Sequence, residues 1–153
     1  MAAAYDYGDP GSPLGNIHPE YKAPVGLRLS LGAQALAYGA AVSYKNPTIK
    51  AVAVAGAGKL SLTFDVPVEL AAPARGPCPV TPTSCAWLSV NGANVTEMAV
   101  QDGTIVVTVP AEVSGSMTVR YLQGDWPVPT IYAVGVPPPG LPAAPFSEVV
   151  SAE

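Results

Sequence analysis

The chain is short of charge. Asp, Glu, Lys and Arg make up 12% of its 153 residues. Lys and Arg number seven and are scattered, and the formal charge is −4. No basic run is present to neutralise phosphates, which argues against nucleic acid as a partner. Histidine occurs once and cysteine twice, too few ligands for a zinc centre. Gly, Pro or a charge interrupts every apolar run well short of about 18 residues, so no membrane-spanning helix is expected. Met1 to Ala4 lack a basic segment, and Asp6 cuts off any apolar leader. Taken literally, that predicts a cytoplasmic product. Phe occurs twice, and the apolar 49% is mostly Ala, Val and Leu. The core should therefore be built from many small side chains. The length allows one domain, or one small domain plus an arm.

What is present falls into two parts. In residues 20–38, Val25, Leu29, Ala33 and Leu36 recur at helical spacing with Leu27 and Leu31 beside them, and Gly39 is a stop signal. After Gly39 the period changes to two. Residues 48–54 and 59–64 flank Ala55-Gly56-Ala57-Gly58, a hairpin pattern with a Gly-rich turn. Further strands are expected at 87–90, 95–100, 104–109 and 117–122, with Asp102-Gly103 as a tight turn. The sequence thus predicts a mostly antiparallel β unit of roughly six short strands, resembling a small sandwich. From Gly124 the chain is Pro-rich, with Pro137-Pro138-Pro139-Gly140, and reads as an extended or frayed arm.

Cys78 and Cys85 stand six residues apart in a second Pro-rich stretch, a spacing that a local disulfide can bridge. Asn94-Val95-Thr96 fits the N-glycosylation acceptor pattern. Together these suit a parent protein made for an oxidising compartment, secreted or lysosomal, against the cytoplasmic reading of the first residues.

The single histidine, His18, follows Asp6 and Asp9 in a stretch broken by Gly8, Pro10, Gly11, Pro13 and Gly15. A neutral imidazole there can take a proton from a serine hydroxyl, and an aspartate can fix its tautomer. Without more, a turn histidine on the surface and aspartates capping Gly/Pro turns serve as well. Ser12 lies six residues from His18 in the same loop and is not read as its nucleophile. Trp87, Trp126, Tyr121 and Tyr132 form either a sugar-stacking platform or part of the core. Arg120 either meets a sugar carboxylate or bridges two regions as a salt bridge.

The residues Asp6, Asp9, Ile17-His18-Pro19, Lys22, Val25, Arg28-Leu29, Leu31, Ala35-Leu36 and Tyr38-Gly39 resemble the last catalytic block of the sialate O-acetylesterases, serine esterases of the SGNH-hydrolase type. A second match follows about 80 residues on, in Val119-Arg120-Tyr121, Trp126-Pro127 and residues 140–146. The position two before His18, often Asp in relatives, is Asn16 here, and the position three before it is Gly15. The orienting acid is then Asp6, slightly preferred because it sits where a strand gives way to a loop, or Asp9, or a residue elsewhere.

The resemblance implies an α+β fragment. Residues 1–40 would be the end of an SGNH α/β hydrolase domain, carrying the catalytic histidine loop and a helix. Residues 45–123 would be an accessory β domain, and 124–153 the arm. It implies hydrolysis of O-acetyl esters on sialic acid or another acetylated sugar, no cofactor, and catalytic site residues His18, Asp6 and Asp9. The nucleophile and oxyanion-hole blocks would belong to a missing N-terminal hydrolase part, leaving this chain inactive alone. The competing expectation is a non-catalytic β-sandwich that binds carbohydrate or protein.

Overall fold

The structure is a computed structural model that describes residues 2–9, 11–15, 18–71, 87–111, 113, 115–124, 127–136 and 140–151. A 3-10 turn at Tyr5–Tyr7 precedes the histidine loop, and helix α1 spans Ala23–Tyr38. Pro24 sits in its first turn, where a missing N–H costs nothing. The helix stops at Gly39, whose φ of 67° lies in the left-handed region, and Ala40 N–H then donates back to Gln34 O at 2.9 Å.

The strands follow in chain order: β1 Ile49–Gly56, β2 Lys59–Phe64, β3 Val68–Leu70, β4 Leu88–Val90, β5 Ala93–Asn94, β6 Met98–Gln101, β7 Thr104–Thr108, β8 Met117–Tyr121, β9 Ile131–Ala133 and β10 Phe146–Val150. They form two four-stranded sheets, β1-β2-β7-β6 and β10-β8-β4-β5, and a small β3-β9 ladder. All these pairings are antiparallel. The period of two decides what is buried. Leu60, Leu62 and Phe64 point inward from β2, Ile105 and Val107 from β7, Leu88 and Val90 from β4, and Val119 and Tyr121 from β8. Side chains from both sheets join one cluster, which Phe146 completes by stacking on Tyr121 with ring centroids 5.5 Å apart.

The hairpin at β1–β2 and the Asp102-Gly103 turn between β6 and β7 form as the sequence predicts, the latter with positive φ at both residues. Four strands go beyond the expectation. β5 arises because Asn91 and Gly92 take positive φ and fold the chain back on β4, a tight turn. β3 finds its partner only in β9, about sixty residues on. β9 and β10 lie in the segment read as an arm. β10 is instead ladder-paired to β8, and Leu141 and Ala143 are hydrogen-bonded to β9. Proline density misleads here because the prolines fall between the strands. No described helix is long and apolar enough to cross a membrane.

Helix α1 stands apart from this core. Only Pro24, Arg28 and Leu31, one narrow stripe, are buried. The neighbouring stripe is left open, with Leu29 56% and Leu36 74% exposed. With Ala2, Gly32, Ala33 and Tyr44 those leucines line a shallow apolar groove.

Candidate active site

The loop that carries His18 is built from consecutive turns. Ser12 N–H donates to Asp9 O at 3.1 Å, Gly15 N–H to Ser12 O at 3.1 Å, and His18 N–H to Gly15 O at 2.9 Å. Gly15 takes a φ of 98°, a conformation that a side chain disfavours. The Asp9 carboxylate accepts from Gly11 N–H at 3.3 Å. Ser12 Oγ accepts from Leu14 N–H at 3.2 Å and donates to the carbonyl oxygen of His18 at 2.6 Å. The Ser12 hydroxyl therefore braces the backbone of the histidine. The His18 side chain is exposed.

The loop is anchored by a polar knot beneath it. Asp6 and Arg28 are 2% exposed each. Arg28 Nη1 donates to Asp6 Oδ1 at 2.7 Å and Nη2 to Asp6 Oδ2 at 2.6 Å, a bidentate fork. Its remaining reach is also used: Nη1 meets Ala3 O at 2.7 Å and Nε meets Gly140 O at 3.0 Å. The guanidinium lies 4.9 Å from the Tyr7 ring centroid, a cation–π distance. Tyr132 Oη adds a donor to Asp6 Oδ2 at 3.2 Å. Gly140 takes a φ of 70°, a conformation that a side chain disfavours, and a Cβ there would press on the Tyr132 ring at 3.2 Å.

Burial opposes the charge on Arg28, but the hydrogen bonds and charge of Asp6 outweigh it and hold its pKa above the ordinary value. Burial, with the Asp6 charge behind it, pushes Tyr132 well above the usual tyrosine range. Tyr5 is raised in the same sense by burial, then by Tyr121 and Asp6. Its hydroxyl donates to Ala143 O at 2.7 Å, which ties the N-terminal segment to the chain just before β10.

The structure thus separates the residues singled out from sequence. Both oxygens of Asp6 are taken by Arg28, and Tyr132 takes one of them again, so its carboxylate faces the knot. Asp9 stays within the histidine loop. Tyr121 and Tyr132 are buried at 0% and 3% and belong to the interior, not to a stacking platform. Trp87 is partly exposed, and Trp126 lies outside the described residues. Arg120 points outward from β8. The bridging arginine is Arg28, to which sequence reasoning gave no role. A signal was there: it is the one charged residue in a helix that is otherwise apolar, small or uncharged. Asn94 is exposed on the edge strand β5. Cys78 and Cys85 lie outside the described residues.

No protein-family model matches the chain. Curated relatives do. The chain is 33% identical over 132 residues to a sialate O-acetylesterase of Mus musculus, covering 83% of this chain and 24% of that protein. It is 31% identical over 157 residues to a sialate O-acetylesterase of Homo sapiens, covering 95% of this chain and 28% of that one. Among solved structures, a carbohydrate acetylesterase from Xanthomonas citri matches with a TM-score of 0.66 and 25% identity, over 96% of this chain and 32% of that chain. The chain spans about a quarter of the length of the curated relatives it matches. The resemblance read from the histidine block is borne out.

Proposed function

We infer that this chain, a homologue of the sialate O-acetylesterases, is the histidine-bearing portion of a hydrolase that removes O-acetyl groups from sialic acid or another acetylated sugar. The observation that carries this reading is the histidine loop: an exposed imidazole on turns braced by Ser12, fixed at its foot by a buried ion pair. In this reading neutral His18 takes the proton of a serine hydroxyl as that oxygen attacks the acetyl carbonyl. It then returns the proton to the departing sugar oxygen, and water releases acetate in a second round of the same exchange. With Asp6 engaged by Arg28, Asp9 is the acid we assign to orient the imidazole. Ser12 is not the nucleophile, because its hydroxyl serves the loop backbone. We place the nucleophile and oxyanion donors in an SGNH-type domain supplied by the rest of the parent, whose last elements would be residues 1–40. The apolar groove beside Leu29 and Leu36 is the surface such a domain would cover. Residues 45–123 would then be an accessory sandwich, with β9 and β10 from 124–153 joined to it. The same reading gives the parent a secreted or lysosomal setting, supported by the exposed Asn94 in its acceptor pattern.

The test compares this chain with a product extended by its upstream coding sequence. The chain alone should hydrolyse p-nitrophenyl acetate no faster than free imidazole, since a base without oxyanion donors stabilises no developing charge. The extended product should release acetate from O-acetylated sialic acid and lose at least about a hundredfold in kcat on His18→Gln, as removal of a general base does. Turnover unaffected by His18→Gln sinks the assignment. Turnover by the chain alone that Ser12→Ala abolishes sinks the view of Ser12.

A further inference from the structure

We propose that Arg28 is a positioning residue for His18, acting through the Asp6 fork, and that the tail takes part through Tyr132 and Gly140. The proposal rests on the reading of His18 as base. The chain enters the histidine loop through Asp6 and Tyr7 and leaves it into α1. Arg28 sits on α1 and Asp6 lies 22 positions before it, so their ion pair joins the two feet of the loop. A cross-link of that span removes a large set of loop conformations. The fork adds direction: two parallel N–H···O bonds fix the carboxylate plane, which a point charge does not.

The remaining donors of Arg28 reach the chain start at Ala3 and the tail at Gly140, and Tyr132 reaches Asp6 from β9. Three remote segments therefore meet on one guanidinium and its carboxylate. Asp6 precedes the loop and Arg28 follows it, so the fork closes the loop at its base. What they hold is the foot of the loop that presents the imidazole.

The experiment uses Arg28→Lys and Tyr132→Phe in the purified chain. His18 is the only histidine, so its ring Hε1 proton gives a single NMR signal that reports the loop. Amide exchange at Ser12, Gly15 and His18 is read against amides of β2 and β7. Arg28→Lys should split or broaden the His18 signal and speed loop exchange, while β2 and β7 stay protected. Tyr132→Phe should do the same more weakly, and it carries the test if Arg28→Lys does not fold, because it deletes one hydroxyl and leaves the ion pair. In the extended, active product, Arg28→Lys should lower kcat about tenfold to a hundredfold at unchanged KM, the cost of a misplaced catalytic group. An unchanged His18 signal and unchanged loop exchange overturn the proposal. So does equal loosening of β2 and β7, which marks a purely structural knot. A loop loosened by the variants, with an extended wild-type product that has no esterase activity, upholds the knot and removes only the role of His18 as base.

Discussion

Leu62 in β2 and Leu36 in α1 are the same residue in regular structure, yet one is 0% exposed and the other 74%. The contrast extends to their surroundings. Around Leu62, two sheets contribute alternating side chains to one cluster, and hydrophobic burial holds that region together. Around α1 a narrow stripe is buried, and the contacts that fasten the helix are the polar fork to Asp6 and the bond to Gly140. One region is stabilised by non-directional burial, which tolerates small shifts. The other depends on directional bonds, which lose their strength when a donor moves by a fraction of an ångström. Directional bonds are suited to setting the direction of a side chain, and the histidine loop is fastened by them.

Truncating the two leucines is the strongest way to break this comparison. Leu62→Ala should cost about 2–5 kcal/mol, through lost transfer energy and an unfilled cavity. Leu36→Ala should stay within about 0.5 kcal/mol, as a surface change does. Urea denaturation of both variants at one protein concentration reads the difference. A Leu36→Ala cost approaching that of Leu62→Ala means that the helix face is covered in solution. Repeating the melt at tenfold dilution then shows whether a second copy does the covering, since only an associated state depends on concentration.

The same contrast explains what was legible in the sequence. The β unit was, because period two and the Gly-bearing turns are local signals: Lys59 to Phe64 alternates inward and outward whatever its partner is. Helix α1 was legible in position from its spacing and its Gly39 stop. The Asp6–Arg28–Tyr132 knot was not, because its members are separated by 22 and 126 positions and no local pattern couples them. Asp6 read as a candidate acid for the histidine, since a carboxylate near a catalytic loop looks the same whether it faces an imidazole or a guanidinium. β9 and β10 were hidden by the prolines around them. Asn91-Gly92 is a strong turn dipeptide, but the strands it joins are too short to show a period of their own.

Alkali tests both regions at once, with a smaller effect at any ordinary pH. Burial pushes Tyr121, in the shared core, up to about 12. Tyr5 and Tyr132, at the knot, are also raised by burial first and by neighbouring negative charge after it. An acid whose folded pKa is raised keeps its proton in the folded state while the unfolded chain ionises near about 10. The stability of these groups is then intact below about pH 10 and falls as pH rises through their folded values. Urea midpoints should be flat from pH 7 to 9 and drop between pH 10 and 11. Tyr5→Phe should make that drop shallower, because one ionisable group has gone. A midpoint that does not move up to pH 11 means that these tyrosines ionise freely and that the knot is open to water.

The smallest effect is expected at the open end of the β1–β2 hairpin, on the exposed side of the β unit. Asp65 Oδ1 accepts from Thr48 N–H at 2.8 Å and Oδ2 from Thr48 Oγ1 at 2.7 Å, and Asp65 N–H donates back to Thr48 O at 3.0 Å. The slight burial of Asp65 raises its pKa, but the bonds from Thr48 and the charge of Lys50 outweigh that and leave it lowered. A carboxylate with a lowered folded pKa contributes stability above its unfolded value of about 3.9 and loses it as pH falls through the folded value. Thr48→Val deletes the hydroxyl donor and keeps the backbone one. It should destabilise the chain at pH 7 by well under about 1 kcal/mol, because solvent screens a pair this exposed. The difference from wild type should shrink as pH falls through the folded value and Asp65 takes up its proton. Denaturation at pH 7 and pH 2 decides it. A cost that persists at low pH would assign the effect to the fit of the methyl group that replaces the hydroxyl, and not to the charge on Asp65.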